Sequence, residues 1–239
     1  MRPSGERPPR LLARPGGKLV GRRARILARG NDKIGSDIFA FNLPAVRTCP
    51  AMSAACRSEC YARRNRWRFP GVKAALRRNL DAARRADFAE QMAREIVRRG
   101  VAVIRIHASG DFFSEAYVRQ WTAVAAVAPA VTLYAYTRSW RVPAIREALE
   151  EFAALPNVRI WYSADRDTGL PGRIPAGVRI AWLETVEEED IPPEARLVFR
   201  PHRLRRRENS RVPVPLVCPA DMPRPGTRVT CDSCGRCWQ

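Results

Sequence analysis

Long apolar runs, lysine and histidine are what this 239-residue chain has least of. No apolar stretch approaches the roughly 18 residues of a membrane span, which argues against a membrane partner. The N-terminus is basic but has no apolar centre of the secretory type, so the expected location is the cytoplasm. Thiols stay reduced there, and clustered cysteines bind metal more often than they form disulfides. Lysine is confined to Lys18, Lys33 and Lys73, so arginine supplies nearly all of the +19 formal charge. Histidine occurs twice, as His107 and His202. Between Cys60 and Cys218 there is no cysteine, and no internal repeat of solenoid type is visible.

The arginine excess suits phosphate or carboxylate recognition. It points to nucleic acid or another polyanion as a partner. The length allows one large α/β domain or two small ones. Residues 1–35 read as a flexible basic arm, 36–200 as the folded unit, and 201–239 as a basic, cysteine-rich C-terminal segment.

Within 36–200 the pattern alternates strand and helix. Strands are expected at 38–43, 101–107, 131–137, 158–163, 178–183 and 196–200. Helices are expected at about 71–85, from a capping box at Asp87 and Glu90 to Gly100, from Ser114 to 127, and at 143–154. Alternation of this kind implies a parallel sheet. One face of three strands is apolar: Ile104 and Ile106; Val131, Leu133 and Ala135; Val158 and Ile160. The other carries Arg105 and His107; Tyr134, Tyr136 and Arg138; Arg159, Trp161, Ser163 and Asp165. A sheet buried on both faces reads as nearly continuous apolar residues. The expected class is therefore α/β: a partial, half-open β/α barrel with a polar interior and its site at the C-terminal ends of the strands. A metal-binding tail follows.

The seven cysteines fall into two sets. Cys218, Cys231, Cys234 and Cys237 form a tight CxxCxxC run with a remote Cys-Pro, a ferredoxin-like pattern that favours a [4Fe-4S] cluster over zinc. Cys49, Cys56 and Cys60 supply only three thiolates. A cube held by three thiolates keeps one iron open for a cofactor or substrate. The alternative is a structural zinc or cluster completed by a residue such as His107 or Asp111, in a non-catalytic, metal-stapled nucleic-acid-binding protein. His107, Asp111 and Arg138 are the candidate catalytic residues: an acid/base, an amine holder and an anion clamp. Tyr136 and Trp140 are candidates to pack a flat ring. The run from Tyr61 to Phe69 interleaves aromatics with arginines, as single-stranded nucleic-acid sites do.

Several stretches together resemble the phage gene product 88 family: Asn42-Leu43-Pro44, Thr48-Cys49-Pro50, Cys56 to Ala62, Arg105 to Phe112, Tyr134 to Trp140, Trp161-Tyr162-Ser163 and Cys231 to Trp238. A looser resemblance runs to radical S-adenosylmethionine (SAM) enzymes. It implies a catalytic early cube that binds SAM, a late auxiliary cube and an external electron donor. It also implies that Ser109, Gly110 and Asp111 hold the methionine amine; by analogy with nucleoside-binding barrels, Ser163 and Asp165 are candidates to contact a ribose, the alternative being a turn at Asp165-Arg166-Asp167. The early spacing differs from that family, six and then three residues instead of three and two.

Overall fold

A computed structural model describes residues 25–186, 190–204, 212–222 and 229–239. Most of the expected N-terminal arm, the greater part of the arginine run at 203–207 and the side chain of His202 lie outside the described residues.

The chain is a mixed α/β protein built on one seven-stranded sheet. The strands are β1 (Ala28–Asn31), β2 (Gly35–Phe41), β3 (Val103–Ile106), β4 (Thr132–Thr137), β5 (Val158–Ala164), β6 (Arg179–Leu183) and β7 (Ala195–Phe199). They lie side by side in chain order. β1 and β2 form an antiparallel hairpin, and every pair from β2 to β7 is parallel. The helices are α1 (Ala54–Glu59), α2 (Pro70–Ala83), α3 (Phe88–Arg99), α4 (Glu115–Val127), α5 (Pro143–Ala153) and a short turn, α6 (Cys231–Cys234). Among the described residues no helix is long and apolar enough to cross a membrane.

Local signals account for most boundaries. Ser114 caps α4 by accepting from Tyr117 N. Gly100 ends α3 in the left-handed conformation at φ 58°, which glycine adopts without a Cβ penalty. Asp87 precedes α3 without a side-chain capping bond; its carboxylate is held by Arg85 instead. The basic arm also ends earlier than expected. Ile26, Leu27 and Ile34 are buried, and Glu95 of α3 accepts from the Ile26 and Leu27 amides at 3.0 and 3.2 Å.

The two faces of the sheet are covered differently. Ile104, Ile106, Leu133, Ala135, Val158 and Ile160 pack in one core with α2 to α5, as the alternation predicts. On the opposite face Tyr134, Tyr136 and Trp161 meet Cys231, Cys237, Trp238 and Cys218. The C-terminal cysteine segment is therefore the second layer. His107 departs from the predicted face. Its φ of +69° turns the ring under the helices, beside Phe41, Phe112 and Tyr117.

Candidate metal centres

The early cysteines lie in the β2–α2 connection, which is clamped to the C-terminal ends of the parallel strands. Asp111 N donates to Thr48 O at 3.1 Å, and Tyr61 Oη donates to Ala108 O. Ser53 caps α1, accepting from Cys56 N at 3.0 Å and donating to Asp165 at 2.6 Å. Asp167 accepts from Ala55 N at 2.7 Å. Gly110 permits the closest approach: at its φ of +86°, a Cβ would lie 2.5 Å from Leu43 Cβ and 2.7 Å from Thr48 Oγ1. Val46, at φ +70°, holds a left-handed conformation that is costly for a β-branched residue; such strain gathers at functional loops.

Two buried carboxylates organise this rim. Asp111 accepts from Phe112 N, Thr137 Oγ1 and Arg138 N at 2.8, 2.6 and 2.9 Å. Burial raises its pKa, and these bonds oppose the rise. Asp165 folds the 165–169 turn over its own carboxylate and lies 2.8 Å from Arg138 Nη1. The Arg138 guanidinium also lies in electrostatic reach of Cys56. Ser109 Oγ donates to Leu43 O, and Ser163 lies half-buried on the same strand face as Trp161. The structure thus gathers Cys49, Cys56, Asp111, Arg138 and Asp165 on one rim, with Ser109 and Gly110 fastening the loop beneath. His107 stands apart, its Nε2 2.8 Å from Tyr117 Oη and its ring 3% exposed. Trp140 is core, stacked on Tyr162 with centroids 5.7 Å apart.

The late set is assembled from remote segments. Cys218 N donates to Val198 O at 2.9 Å. The β1–β2 hairpin holds α6: Cys231 N donates to Lys33 O, and Asp232 accepts from Ser36 N. Gly35 leaves room for that carboxylate, which a Cβ would meet at 1.8 Å. Trp161 Nε1 donates to Cys237 O, and Trp238 Nε1 to Cys231 O, both at 3.0 Å. Cys218, Cys231, Cys234 and Cys237 together line one small pocket.

All seven cysteines are free thiols. Burial pushes Cys49 up to about 12 and Cys218 up to about 11, and raises Cys56, Cys231 and Cys237. Such thiols are protonated and poorly nucleophilic at neutral pH. Among the described residues no three of His, Cys, Asp and Glu gather to hold a metal ion. A tetrahedral zinc site would bring its sulfurs to about 3.8 Å from one another, given Zn–S bonds of about 2.3 Å. The four thiolates of a cube stand on different irons and lie farther apart than that.

Sequence reasoning singled out neither Lys33 nor Arg105. Lys33 Nζ pairs with Asp221 at 2.8 Å, in electrostatic reach of Cys218. Arg105, a charged residue within a central parallel strand, is 9% exposed; its position there was the available signal.

The class defined by these features is an α/β protein whose parallel sheet carries one cysteine set on its C-terminal rim and another over its open face. The family model described as Gene product 88 matches residues 20–239, and the chain belongs to that family. The Gene 88 protein of Mycobacterium phage L5 is 29% identical over 189 residues, covering 73% of this chain and 77% of the relative. The Gene 88 protein of Mycobacterium phage D29 is 28% identical over 193 residues, covering 74% and 78%. No solved structure matches the chain.

Replacing Gly110 with Ala forces the Cys49 loop off the strand ends. The expected loss is about 2 kcal/mol or more in urea unfolding, with faster alkylation of Cys49. His107 supplies a pH signature. Burial lowers its pKa to about 3, so the unfolded chain takes up the proton first as pH falls below about 6.5. Its contribution is complete above that value and declines toward pH 3, by roughly 3 kcal/mol between pH 7 and about pH 4. His107→Asn, which tolerates positive φ, should lack this component of acid destabilisation in urea titrations at a series of pH values.

Proposed function

We propose that this protein is an iron–sulfur protein of radical-SAM-like type, with a closed four-cysteine cluster over the sheet and an open three-cysteine cluster on its rim. The observation that carries the reading is the convergence of Cys218 with Cys231, Cys234 and Cys237 on one pocket, although Cys218 is separated from the others along the chain. The early trio sits where parallel α/β folds place their chemistry. The consecutive strand order supports a half-open barrel. Asp111 is no spare fourth ligand, because both its oxygens accept hydrogen bonds.

When loaded, an open-site cube with SAM supplies radical hydrogen abstraction. The residues of this chain do the holding. Cys49, Cys56 and Cys60 would bind the open cube, Arg138 would balance charge at Cys56, and Asp165 fixes Arg138. Ser163 remains a candidate ribose contact. Asp111 and Gly110 act through the loop they clamp, which leaves the main chain of 109–111 as the candidate amine site. An external electron donor and a cytoplasmic setting belong to this reading.

Anaerobic reconstitution should yield brown protein with about eight irons, two cubes' worth. Cys56→Ala and Cys234→Ala should each retain about half. Dithionite with SAM should release 5′-deoxyadenosine from the wild type and not from Cys56→Ala. Colourless protein carrying zinc alone would favour the metal-stapled, non-catalytic alternative.

The substrate class we propose is nucleic acid. Tyr61 and Phe69 are 55% and 61% exposed. They begin and end a segment whose Arg63, Arg64, Arg66 and Arg68 are also exposed, beside the open trio. Stacking rings among guanidinium groups suit single strands. Affinity for a labelled oligonucleotide should fall steeply with salt, and Phe69→Ala should weaken it by roughly tenfold. Equal binding by that variant would remove this surface from the proposal.

A further inference from the structure

Arg105 is a buried cation for which the described residues offer no carboxylate. It lies within β3, 9% exposed, on the face covered by the C-terminal segment. Among the described residues no ion pair forms to it, and its Nε has no hydrogen-bond partner. The guanidinium carbon lies 5.5 Å from the centre of the Tyr136 ring, and the Tyr134 ring is 6.4 Å from that of Tyr136. The hydroxyls of Tyr134 and Tyr136 are likewise buried without a well-formed bond. Three unmatched polar groups thus sit together. The side chains packed on these two rings from the other layer are Cys231, Cys237 and Trp238.

A buried guanidinium stays protonated and is costly without a counter-charge. Lys33, the other cation of this layer, has its counter-charge in Asp221. Among the described residues the groups facing Arg105 are the phenols of Tyr61, Tyr134 and Tyr136 and the thiol of Cys231, with the Lys33 cation also in electrostatic reach. Thiols give it nothing to balance, whereas metal-bound sulfurs are thiolates. Four thiolates outweigh the positive charge of either a zinc ion or an oxidised iron–sulfur cube, so the centre as a whole is an anion.

We propose that Arg105 is the built-in counter-charge of the C-terminal metal centre, with the Tyr134 and Tyr136 hydroxyls as donors to its sulfurs. This rests on the reading that Cys218, Cys231, Cys234 and Cys237 bind metal, and it holds for iron or zinc. Metal loading and burial of the charge then stabilise each other. Arg105 is a positioning and tuning residue for the centre and takes no part in bond-making.

The test compares full-length wild type, Arg105→Met, Arg105→Lys and Tyr136→Phe, each metal-loaded and metal-stripped. A counter-charge predicts effects of opposite sign in the two states. Arg105→Met should raise the urea midpoint of the stripped protein, where a lone buried charge is removed. In the loaded protein it should lower the midpoint and weaken metal retention at least about tenfold in chelator competition. That figure is the modest end of what outer-shell partners of metal ligands contribute. Arg105→Lys should lie between, and Tyr136→Phe should show a smaller loss in the loaded state only. If the centre is an iron–sulfur cluster, its reduction potential should shift downward in Arg105→Met. This readout survives even where the stripped protein does not fold.

Metal bound with unchanged retention and unchanged midpoints in Arg105→Met would overturn the counter-charge while leaving the metal reading intact. Equal destabilisation of both states would also overturn it, by making Arg105 an ordinary packing residue. Stabilisation of the stripped protein by inorganic phosphate, dependent on Arg105 and exceeding that by metal, would make the hollow a site for a free anion instead. Failure of the Cys218 set to take up any metal would remove the underlying reading itself.

Discussion

A sheet wound in one direction has one face without helices, and the rest of this structure follows from how that face is closed. The strands follow chain order from β1 to β7, and α2 to α5 pack on one side. The other side carries Arg105, Tyr134, Tyr136 and Trp161, whose polar ends cannot be buried against an apolar layer without cost. What covers them is short, rich in cysteine and fastened through main-chain atoms. Trp161 and Trp238 donate to carbonyls of the cysteine turns. Arg236 donates to the Pro215 and Arg196 carbonyls, and the hairpin ahead of β2 grips α6. Metal at the four cysteines, as proposed, would add stability to such a layer.

The rim is held by a different device. Asp111 and Asp165, each at the end of a parallel strand or just beyond it, gather donors from neighbouring connections. Asp111 joins the β3 and β4 connections through Thr137 and Arg138. Asp165 joins the β5 turn to Ser53 and Arg138. Removing either partner of a buried, hydrogen-bonded pair is far more damaging than the net worth of the pair. Asp165 ties the loop bearing Cys49, Cys56 and Cys60 through Ser53, and Asp111 reaches it through its main-chain N–H to Thr48 O.

Much of this was legible in the sequence. The period-two alternation in β3, β4 and β5 identified both faces, and Ser114 and Gly100 marked helix ends where capping chemistry is local. Legibility failed where tertiary context overrode a local rule. His107 continued the alternation on paper, but a left-handed residue at the strand end swung it into the aromatic core. Ile26 and Leu27 lay inside what composition marked as an arm; their burial depends on Glu95, about seventy positions away. Asp87 and Glu90 matched the capping-box spacing, yet Arg85 took the Asp87 carboxylate. No periodicity announced that the C-terminal segment would lie across the sheet, because its contacts run through carbonyls and single tryptophan N–H groups.

The unequal thiol count gains its meaning from this geometry. The three-thiol set lies at the ends of parallel strands, each of its cysteines partly exposed. Each carboxylate oxygen of the neighbouring Asp111 and Asp165 already accepts a hydrogen bond. The four-thiol set lies under Trp238 and in electrostatic reach of Arg105, with Cys218 buried and the other three partly exposed. The same sheet joins them: Arg105 in β3 lies in electrostatic reach of Tyr61, which follows Cys60, and of Cys231. In the proposed metal reading, a change of charge at the late set would act on Arg105 through a low-dielectric layer and so reach the aromatic ring that follows Cys60.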